Sequence, residues 1–331
     1  MTSIIIKISL GSLIACNKDI VINLSEDNLN NTDEIKSAWL FGFMKDIIEQ
    51  LEYNGKIRTA ETYRCAMNSF SRFRGGSDIL ISEIGPDIVE TYELYLKQQN
   101  LAFNTISFYM RILRAVYNRA VKRHLTADRQ PFCDVYTSIG KTMKRAVTLE
   151  VMRKLKDMTL HSRMKEFARD MFLFSFYTHG MSFVDMAYLK QTDIINGVLI
   201  YKRKKTGRLL YVRWEKHMQQ IVDKYARSGS TYLLPLISKD NGKERNQYRH
   251  KQTLINSALK AISEELHLDR KLSMYVARHS WASIARTLNV PVEVICRGMG
   301  HDSEKTTQIY LKTLDTEAID HANRLILKAL E

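Results

Sequence analysis

One stretch near the carboxyl end constrains this chain more than any other. It runs from Leu272 to Leu311 and reads LSMYVARHSWASIARTLNVPVEVICRGMGHDSEKTTQIYL. It combines the cationic Arg278, the imidazole of His301 behind a Gly-Met-Gly turn, and the hydroxyl of Tyr310. An arginine can bind a phosphate through two parallel hydrogen bonds, an imidazole can bond or protonate its oxygens, and a tyrosine can attack it. These residue types therefore favour chemistry on a phosphate.

The same stretch resembles the carboxyl-terminal signature of the tyrosine recombinases, the integrases and invertases that cut and rejoin DNA through a phosphotyrosine. That signature is an Arg-His-Ser/Thr-x-Ala run, then Gly-His, then a tyrosine nine residues beyond that histidine. Residues 278–282 (RHSWA), residues 300–301 (GH) and Tyr310 match it in order and spacing. The resemblance implies that Tyr310 is the nucleophile, that Arg278 binds the non-bridging phosphate oxygens, and that His301 bonds the same phosphate.

Two more positions match residues that act in the family. Lys205, in a Lys-Thr-Gly turn, matches a hairpin lysine that protonates the leaving 5′ oxygen, with Lys204 and Lys202 as the next candidates. Asp185 falls where the family has an acid that orients its first arginine, and a surface carboxylate is the alternative interpretation.

The slot of the first arginine departs from the family pattern. Ser182 occupies it, in the run GMSFVD over residues 180–185. A serine donates one neutral hydrogen bond and brings no charge. Another cation must therefore neutralise the phosphate, and His179, Arg203 and Arg208 are the candidates.

The slot of the catalytic base departs as well. Tyr275 lies three residues before Arg278, where the family usually has a histidine. A phenol is a poor base at neutral pH, because its ordinary pKa is about 10. Tyr275 is therefore expected to bond the phosphate, or to pass a proton to His279 or His301.

The net charge of the chain indicates its partner. The 331 residues carry 50 Lys and Arg against 36 acids, a net charge of +14. Such a surplus favours a polyanion, because cations displace condensed counterions from nucleic acid. Charge alone does not separate DNA, RNA and anionic membrane, whereas the resemblance implies double-stranded DNA.

Cofactors and membranes are not expected. The four cysteines are scattered and form no CxxC pair, which argues against a disulfide framework or a zinc site. A phosphotyrosyl bond stores the energy of the cut backbone, so neither ATP nor a metal is required. No apolar run approaches the roughly 20 residues of a membrane span. We expect a cytoplasmic, nucleoid-associated protein.

Helical periodicity divides the chain into a lead-in, two domains and a linker. Residues 1–32 are expected to be a disordered lead-in. Its first residues only faintly resemble an export signal, because Lys7 lies inside the apolar run. Residues 33–125 predict four helices and resemble the SAM-like core-binding domain that precedes recombinase catalytic domains. Asn104 and Thr105 are expected to cap the fourth helix. Residues 126–147 are the expected basic linker, and residues 148–331 the catalytic domain.

The catalytic domain is expected to be rich in α-helix with one small sheet. Thr148 should cap its first helix, and a helix with a buried apolar half should run from Arg163 to Tyr177. Turn signals at Asn196-Gly197 and Thr206-Gly207 predict a three-stranded antiparallel sheet over residues 194–213. A last helix should cover residues 315–330. The whole chain is thus predicted to be mainly α.

Basic residues in both domains and in the linker are expected to contact DNA. They are Arg111, Arg114, Lys122, Arg123, Lys144, Arg145, Arg203 and Lys204. The resemblance implies a site-specific recombinase of a mobile genetic element that works as a homotetramer on two DNA sites and is a monomer or dimer when free. A type IB topoisomerase-like protein and a DNA-binding protein without catalysis are the alternatives.

Overall fold

The computed structural model describes residues 39–138, 140, 146–301, 303 and 307. The chain divides into two compact units, residues 1–141 and 142–331. The described residues form eleven α-helices and one three-stranded antiparallel sheet. The expected mainly α fold with a small sheet is therefore confirmed. The predicted lead-in and the last predicted helix, residues 315–330, lie outside the described residues.

The first unit is a four-helix domain. Its helices are α1 (Leu40–Tyr53), α2 (Ile57–Phe73), α3 (Pro86–Gln98) and α4 (Phe103–Lys122). Helix α1 packs on α2, and α2 and α3 both pack on α4. Apolar residues recur at helical spacing on the inner faces, and Phe43, Phe70, Tyr92 and Tyr117 are almost completely buried. Helix α3 begins with Pro86, whose missing N–H costs nothing at a helix start.

The start of α4 differs from the sequence prediction. Ala102 is the N-cap, so Asn104 lies inside the first turn rather than before it. The Asn104 side chain instead accepts a hydrogen bond from the Gly140 N–H at 2.8 Å and donates one to the Gly140 carbonyl at 3.3 Å. The prediction of an Asn104–Thr105 cap was wrong because the asparagine has this distant backbone partner.

Part of the segment expected to be a linker packs into the first unit. Phe132 and Val135 are buried in its core. The buried Glu93 on α3 accepts a hydrogen bond from the backbone N–H of Tyr136 at 2.8 Å. The core of the first unit therefore includes residues beyond the end of α4.

The second unit is organised around one helix, α6. Its helices are α5 (Leu149–Asp157), α6 (Arg163–Tyr177), α7 (Phe183–Ala187), α8 (Lys216–Lys224), α9 (Glu244–Glu265), α10 (Met274–Thr287) and α11 (Val292–Gly298). Helices α5, α8, α9 and α10 all pack on α6. Met171, Phe172 and Phe174 on α6 are completely buried. The sequence prediction of this helix and of its apolar half is confirmed residue for residue.

The sheet lies between α7 and α8. It consists of β1 (Ile194–Ile195), β2 (Val198–Lys202) and β3 (Leu209–Arg213), antiparallel and in that order. Asn196 and Gly197 join β1 to β2 with φ of 50° and 74°. Two positive φ angles suit a type I′ hairpin turn, which is why an Asn-Gly pair predicts one.

The turn between β2 and β3 is the basic one, and its residues 203–208 are called the basic hairpin turn below. It is closed by hydrogen bonds from the Arg203 N–H to the Arg208 carbonyl and from the Gly207 N–H to the Arg203 carbonyl, both 2.8 Å long. Gly207 has a φ of 71°, which glycine adopts without steric cost.

The chain enters the second unit through two side-chain contacts. The Thr148 hydroxyl accepts a hydrogen bond from the Val151 N–H at 3.4 Å, which confirms the predicted cap of α5. The N–H of Val147 donates to the hydroxyl of Ser280 on α10 at 2.9 Å. Ser280 in turn donates to the carbonyl of Val276 one helical turn earlier.

Candidate active site

Arg278 lies at the centre of the candidate site. Helix α10 carries it, and only 4% of the residue is exposed. Its Nη1 donates to the carbonyl of Gly180 at 2.7 Å, and its Nη2 donates to the carbonyl of Met299 at 2.6 Å. One guanidinium thus binds both the turn after α6 and the end of α11.

Gly180 is required for this arrangement. Its φ is 72°, and a Cβ added to it would lie 2.7 Å from the Cα of Arg278. A side chain at this position would be strained and would also displace the arginine's backbone. The positive φ and the close approach to Arg278 are two independent reasons for a glycine at this position.

His301 is bonded directly to Arg278. The Nη2 of Arg278 lies 2.9 Å from the Nε2 of His301, and the Nδ1 of His301 lies 2.7 Å from the hydroxyl of Thr307. A guanidinium has donors and no acceptor, so this geometry assigns the lone pair to Nε2 and the proton to Nδ1. Burial lowers the pKa of His301 to about 3, and the nearby charges of Arg278, Arg203 and Lys205 add to the effect. The imidazole is therefore neutral at physiological pH.

Three arginines bind three successive carbonyl groups at the end of α11. Arg278 binds the first carbonyl of residues 299–301, Arg203 the second at 2.5 Å, and Arg208 the third at 2.5 Å. Carbonyl groups at a helix carboxyl end carry partial negative charge, which attracts cations. The basic hairpin turn and α10 are thereby fixed to the same few residues, although they are far apart in sequence.

Lys205 is the hairpin lysine most closely coupled to His301. Its side chain is exposed on the basic hairpin turn, and its charge contributes to the low pKa of His301. The ammonium of Lys204 lies 4.1 Å from the ring centroid of Tyr188, a cation–π contact. Lys202 is exposed at the end of β2. Among the three candidates, Lys205 is the one whose charge affects the pKa of His301.

Ser182 and Asp185 support the basic hairpin turn. The Ser182 hydroxyl is the N-cap of α7 and donates to the Oδ2 of Asp185 at 2.6 Å. The Oδ1 of Asp185 accepts a hydrogen bond from the backbone N–H of Lys204 at 2.8 Å. Asp185 is 3% exposed, which excludes the surface-carboxylate alternative.

Tyr275 and His279 form an aromatic pair on α10. Tyr275 is 49% exposed, and its ring centroid lies 4.5 Å from that of His279, with the two rings nearly perpendicular. The two residues are four positions apart and therefore lie on the same face of the helix. Tyr275 thus contacts His279, one of the two histidines expected to take its proton.

His179 is a poor source of the missing positive charge. Its ring packs on Trp281 with a centroid distance of 5.1 Å, and burial lowers its pKa below the usual value. A neutral imidazole cannot neutralise a phosphate. Of the three candidate cations, Arg203 and Arg208 remain.

Several predicted residues lie elsewhere. Tyr310, Lys144 and Arg145 lie outside the described residues. Arg111, Arg114 and Lys122 lie on α4 in the first unit and Arg123 is its C-cap, and no described carboxylate forms an ion pair with any of them. Helical geometry places Arg111, Arg114 and Lys122 on one face. The guanidinium carbon of Arg123 lies 5.3 Å from the Phe43 ring centroid.

Sequence reasoning missed Thr307 and Arg208 as partners of His301. Thr307 is completely buried and fixes the tautomer of the imidazole. Its position six residues after His301 carries no signal that a sequence could reveal. The sequence indicated Arg208 only as a source of positive charge, and the structure adds that its Nη1 donates to the His301 carbonyl.

The described part of the chain contains neither a candidate membrane span nor a candidate metal cluster. No helix there is long and apolar enough to cross a membrane. No group of three or more histidine, cysteine or acidic side chains there could hold a metal ion.

Comparison with known proteins identifies the fold. Residues 39–137 match the family model of the phage integrase SAM-like domain. No curated protein matches the sequence. The Tn1549 transposon integrase in complex with a circular intermediate DNA is similar, with a TM-score of 0.64 and 16% identity over 82% of this chain and 94% of that one. A lambda integrase dimer bound to a COC′ core site has a TM-score of 0.61 and 14% identity over 82% and 95%. A lambda integrase tetramer bound to a Holliday junction has a TM-score of 0.59 and 14% identity over 83% and 80%.

The chain therefore has the integrase fold, a SAM-like domain followed by an α-rich unit like the catalytic part of these enzymes. Residues 39–137 thus match a model of the phage integrase SAM-like domain, and the likeness to solved structures shows the integrase fold for the chain. The resemblance seen in the sequence is confirmed at this level.

Proposed function

We propose that this protein is a site-specific DNA recombinase that cleaves and rejoins DNA through a 3′-phosphotyrosyl bond to Tyr310. The observation that carries the proposal is the buried contact between Arg278 and His301, 2.9 Å long, in a chain with the integrase fold. These are two of the three signature residues with an expected role on the phosphate, and they lie 23 residues apart along the chain. Their contact supports a single phosphate site.

Arg278 and His301 have complementary roles in this reaction. Arg278 binds the non-bridging oxygens, whose negative charge grows in the transition state. The neutral His301 has a lone pair on Nε2 that can accept a hydrogen bond or a proton. When a phosphate takes over the guanidinium of Arg278, this nitrogen becomes available to the reacting groups.

The bonds change as follows. The phenol oxygen of Tyr310 forms a bond to phosphorus, and the bond from phosphorus to the 5′ oxygen breaks. Lys205 gives a proton to that leaving oxygen, and the phenol proton passes to a base, with His301, or His279 through Tyr275, as the acceptor. The released 5′ hydroxyl can attack the phosphotyrosyl bond of another strand, so rejoining needs no external energy.

DNA binding is expected to involve both units. On α4 the four basic residues present charge that no described acid neutralises, which suits a phosphate backbone. In the second unit, the basic hairpin turn carries Lys204 and Lys205, and the charge of Lys205 contributes to the low pKa of His301. Assembly as a tetramer that joins two sites, and a nucleoid-associated location in the cytoplasm, remain part of the proposal. The bounds of a core-binding domain (33–125), a linker (126–147) and a catalytic domain (148–331) belong to it too.

A covalent-capture experiment tests the proposal. Nicked duplexes with randomised cores trap the 3′-phosphotyrosyl complex, because the short cleaved fragment diffuses away and rejoining fails. We expect a DNA-linked band on a denaturing gel with the wild type and none with Tyr310→Phe, which removes only the nucleophilic oxygen. A wild-type protein that binds the duplex yet gives no linked band contradicts the proposal and leaves a DNA-binding protein without catalysis.

A second assay separates recombination from relaxation. Captured sequences are placed on one plasmid in one copy or in two. A recombinase exchanges DNA between two copies, whereas a type IB topoisomerase relaxes plasmids regardless of the sites. The SAM-like family match over residues 39–137 favours the recombinase.

A further inference from the structure

A buried guanidinium in the second unit has no acidic counterion among the described residues. Arg203 is 7% exposed and forms no ion pair with a described carboxylate. Asp185 contacts the basic hairpin turn, but its two carboxylate oxygens accept hydrogen bonds from the Ser182 hydroxyl and from the Lys204 N–H. Arginine keeps its charge at every physiological pH. A buried charge without a counterion is costly, so such a site suits an anionic ligand.

Arg203 uses only part of its hydrogen-bonding capacity within the protein. Its Nη1 donates to the carbonyl of Gly300. A guanidinium has five N–H donors, and a neutral carbonyl does not cancel its charge. Arg203 therefore keeps both a full charge and further donors at this turn.

The second buried guanidinium lies on the adjacent peptide. Arg278 binds the carbonyl of Met299, one residue before Gly300, and it also contacts the ring of His301. The charges of Arg278 and Arg203 both lower the pKa of His301, after the larger effect of burial. Two arginine cations thus lie near one neutral imidazole.

We propose that Arg203 is a catalytic residue that binds a non-bridging oxygen of the scissile phosphate together with Arg278. It thereby supplies the charge that Ser182 cannot supply. This inference rests on the proposed function. Of the other two candidates, His179 is neutral and packed on Trp281, and Arg208 is exposed at the edge of the turn.

The roles of the two hairpin arginines then differ. Attack by the Tyr310 oxygen on phosphorus concentrates negative charge on the non-bridging oxygens before the bond to the 5′ oxygen breaks. Arg203 neutralises part of that charge. Arg208 binds the His301 carbonyl and positions the turn.

The test compares a charged and a neutral scissile phosphate. Covalent capture is measured for the wild type, Arg203→Gln, the reference variant Arg278→Gln and the matched control Arg208→Gln on a phosphodiester and on a methylphosphonate at the same position. On the phosphodiester, Arg203→Gln is expected to lose about 10²–10³ in rate, the usual effect of removing one preorganised donor. On the methylphosphonate it is expected to return to within about tenfold of the wild type, since the methyl group has already removed the charge. Arg208→Gln is expected to gain nothing from the neutral substrate.

The outcomes separate this inference from the proposed function. If the neutral substrate restores Arg278→Gln but not Arg203→Gln, then Arg203 only fixes the Gly300 turn and the inference is wrong. If the wild type gives no covalent complex, the proposed function fails, and a second measurement still tests the anion site. Inorganic phosphate at constant ionic strength is expected to raise the unfolding temperature of the wild type, Arg203→Lys and Arg208→Gln more than that of Arg203→Gln. Equal shifts in all four proteins overturn the inference.

Discussion

The Nη2 of Arg278 and the Nε2 of His301 are 2.9 Å apart in the second unit. Because a guanidinium can only donate, the contact holds the imidazole in the neutral tautomer with its proton on Nδ1, directed at Thr307. A protonated imidazole at the same place would face a like charge. The contact therefore links the protonation state of His301 to the integrity of the site.

Acid is expected to destabilise the fold through His301. Its pKa is lowered to about 3 in the folded chain, so below its ordinary value of about 6.5 only the unfolded chain takes up the proton. The unfolded state then binds more protons, and the free energy of unfolding falls as pH drops from about 6.5 to about 3. Above this window His301 contributes no pH dependence.

Urea unfolding at several pH values measures this effect. The difference in unfolding free energy between the wild type and His301→Gln should shrink as pH falls through that window, because the variant lacks the titrating group. A difference that does not change with pH contradicts the low pKa.

Gly180→Ala is expected to lose more stability than backbone strain alone explains, and to lose covalent capture as well. Gly197→Ala is the matched control, since Gly197 has a φ of 74° against 72° for Gly180 but has open space around its Cβ position. Both variants should lose about 1–2 kcal/mol from the strained backbone. Only Gly180→Ala should lose more than that and should also lose covalent capture, because its new Cβ displaces Arg278. Equal stability and equal capture in the two variants argue against the close approach. Thermal unfolding and the capture assay provide both readouts.

Ser182→Ala is expected to weaken the fold modestly and to leave chemistry nearly intact. Ser182 caps α7 and bonds to Asp185, and loss of such a cap costs about 1 kcal/mol. The rate of covalent capture should stay within a few-fold of the wild type, since a neutral hydroxyl adds no charge to the phosphate. A loss of 10² or more in a folded variant would assign Ser182 to the phosphate site instead.

The basic face of α4 is expected to control the salt dependence of DNA binding. Each phosphate contact contributes about 0.9 to the slope of log K against log salt. Arg114→Gln and Lys122→Gln should each reduce the slope by about 1. Arg58→Gln is the control, because Arg58 is exposed and already paired with Glu61. Slopes that are the same in all three variants exclude α4 from the interface.

The sequence predicted the elements whose cause is local. The helix from Arg163 to Tyr177, the Thr148 cap and the Asn196-Gly197 turn all follow from periodicity, capping or positive φ. The chemical signature around Arg278 and His301 was recognised from spacing alone.

The rest of the candidate site depends on contacts between distant parts of the chain. Arg203 binds a carbonyl 97 residues away, and Arg278 binds one 98 residues away. A backbone carbonyl exists at every residue, so no residue type marks the one that a side chain binds. For the same reason the pairing of Asn104 with Gly140 was not foreseen, although both residues are common at turns and caps.

The hydrogen bond from Val147 to Ser280 has a mechanical consequence. It fastens the incoming chain to α10 only two residues beyond Arg278, and Ser280 is itself bonded back to Val276. A displacement of the polypeptide ahead of α5 is thus transmitted to the helix that carries Arg278 before it reaches α5. The position of Arg278 therefore depends on the chain that enters the second unit at Val147.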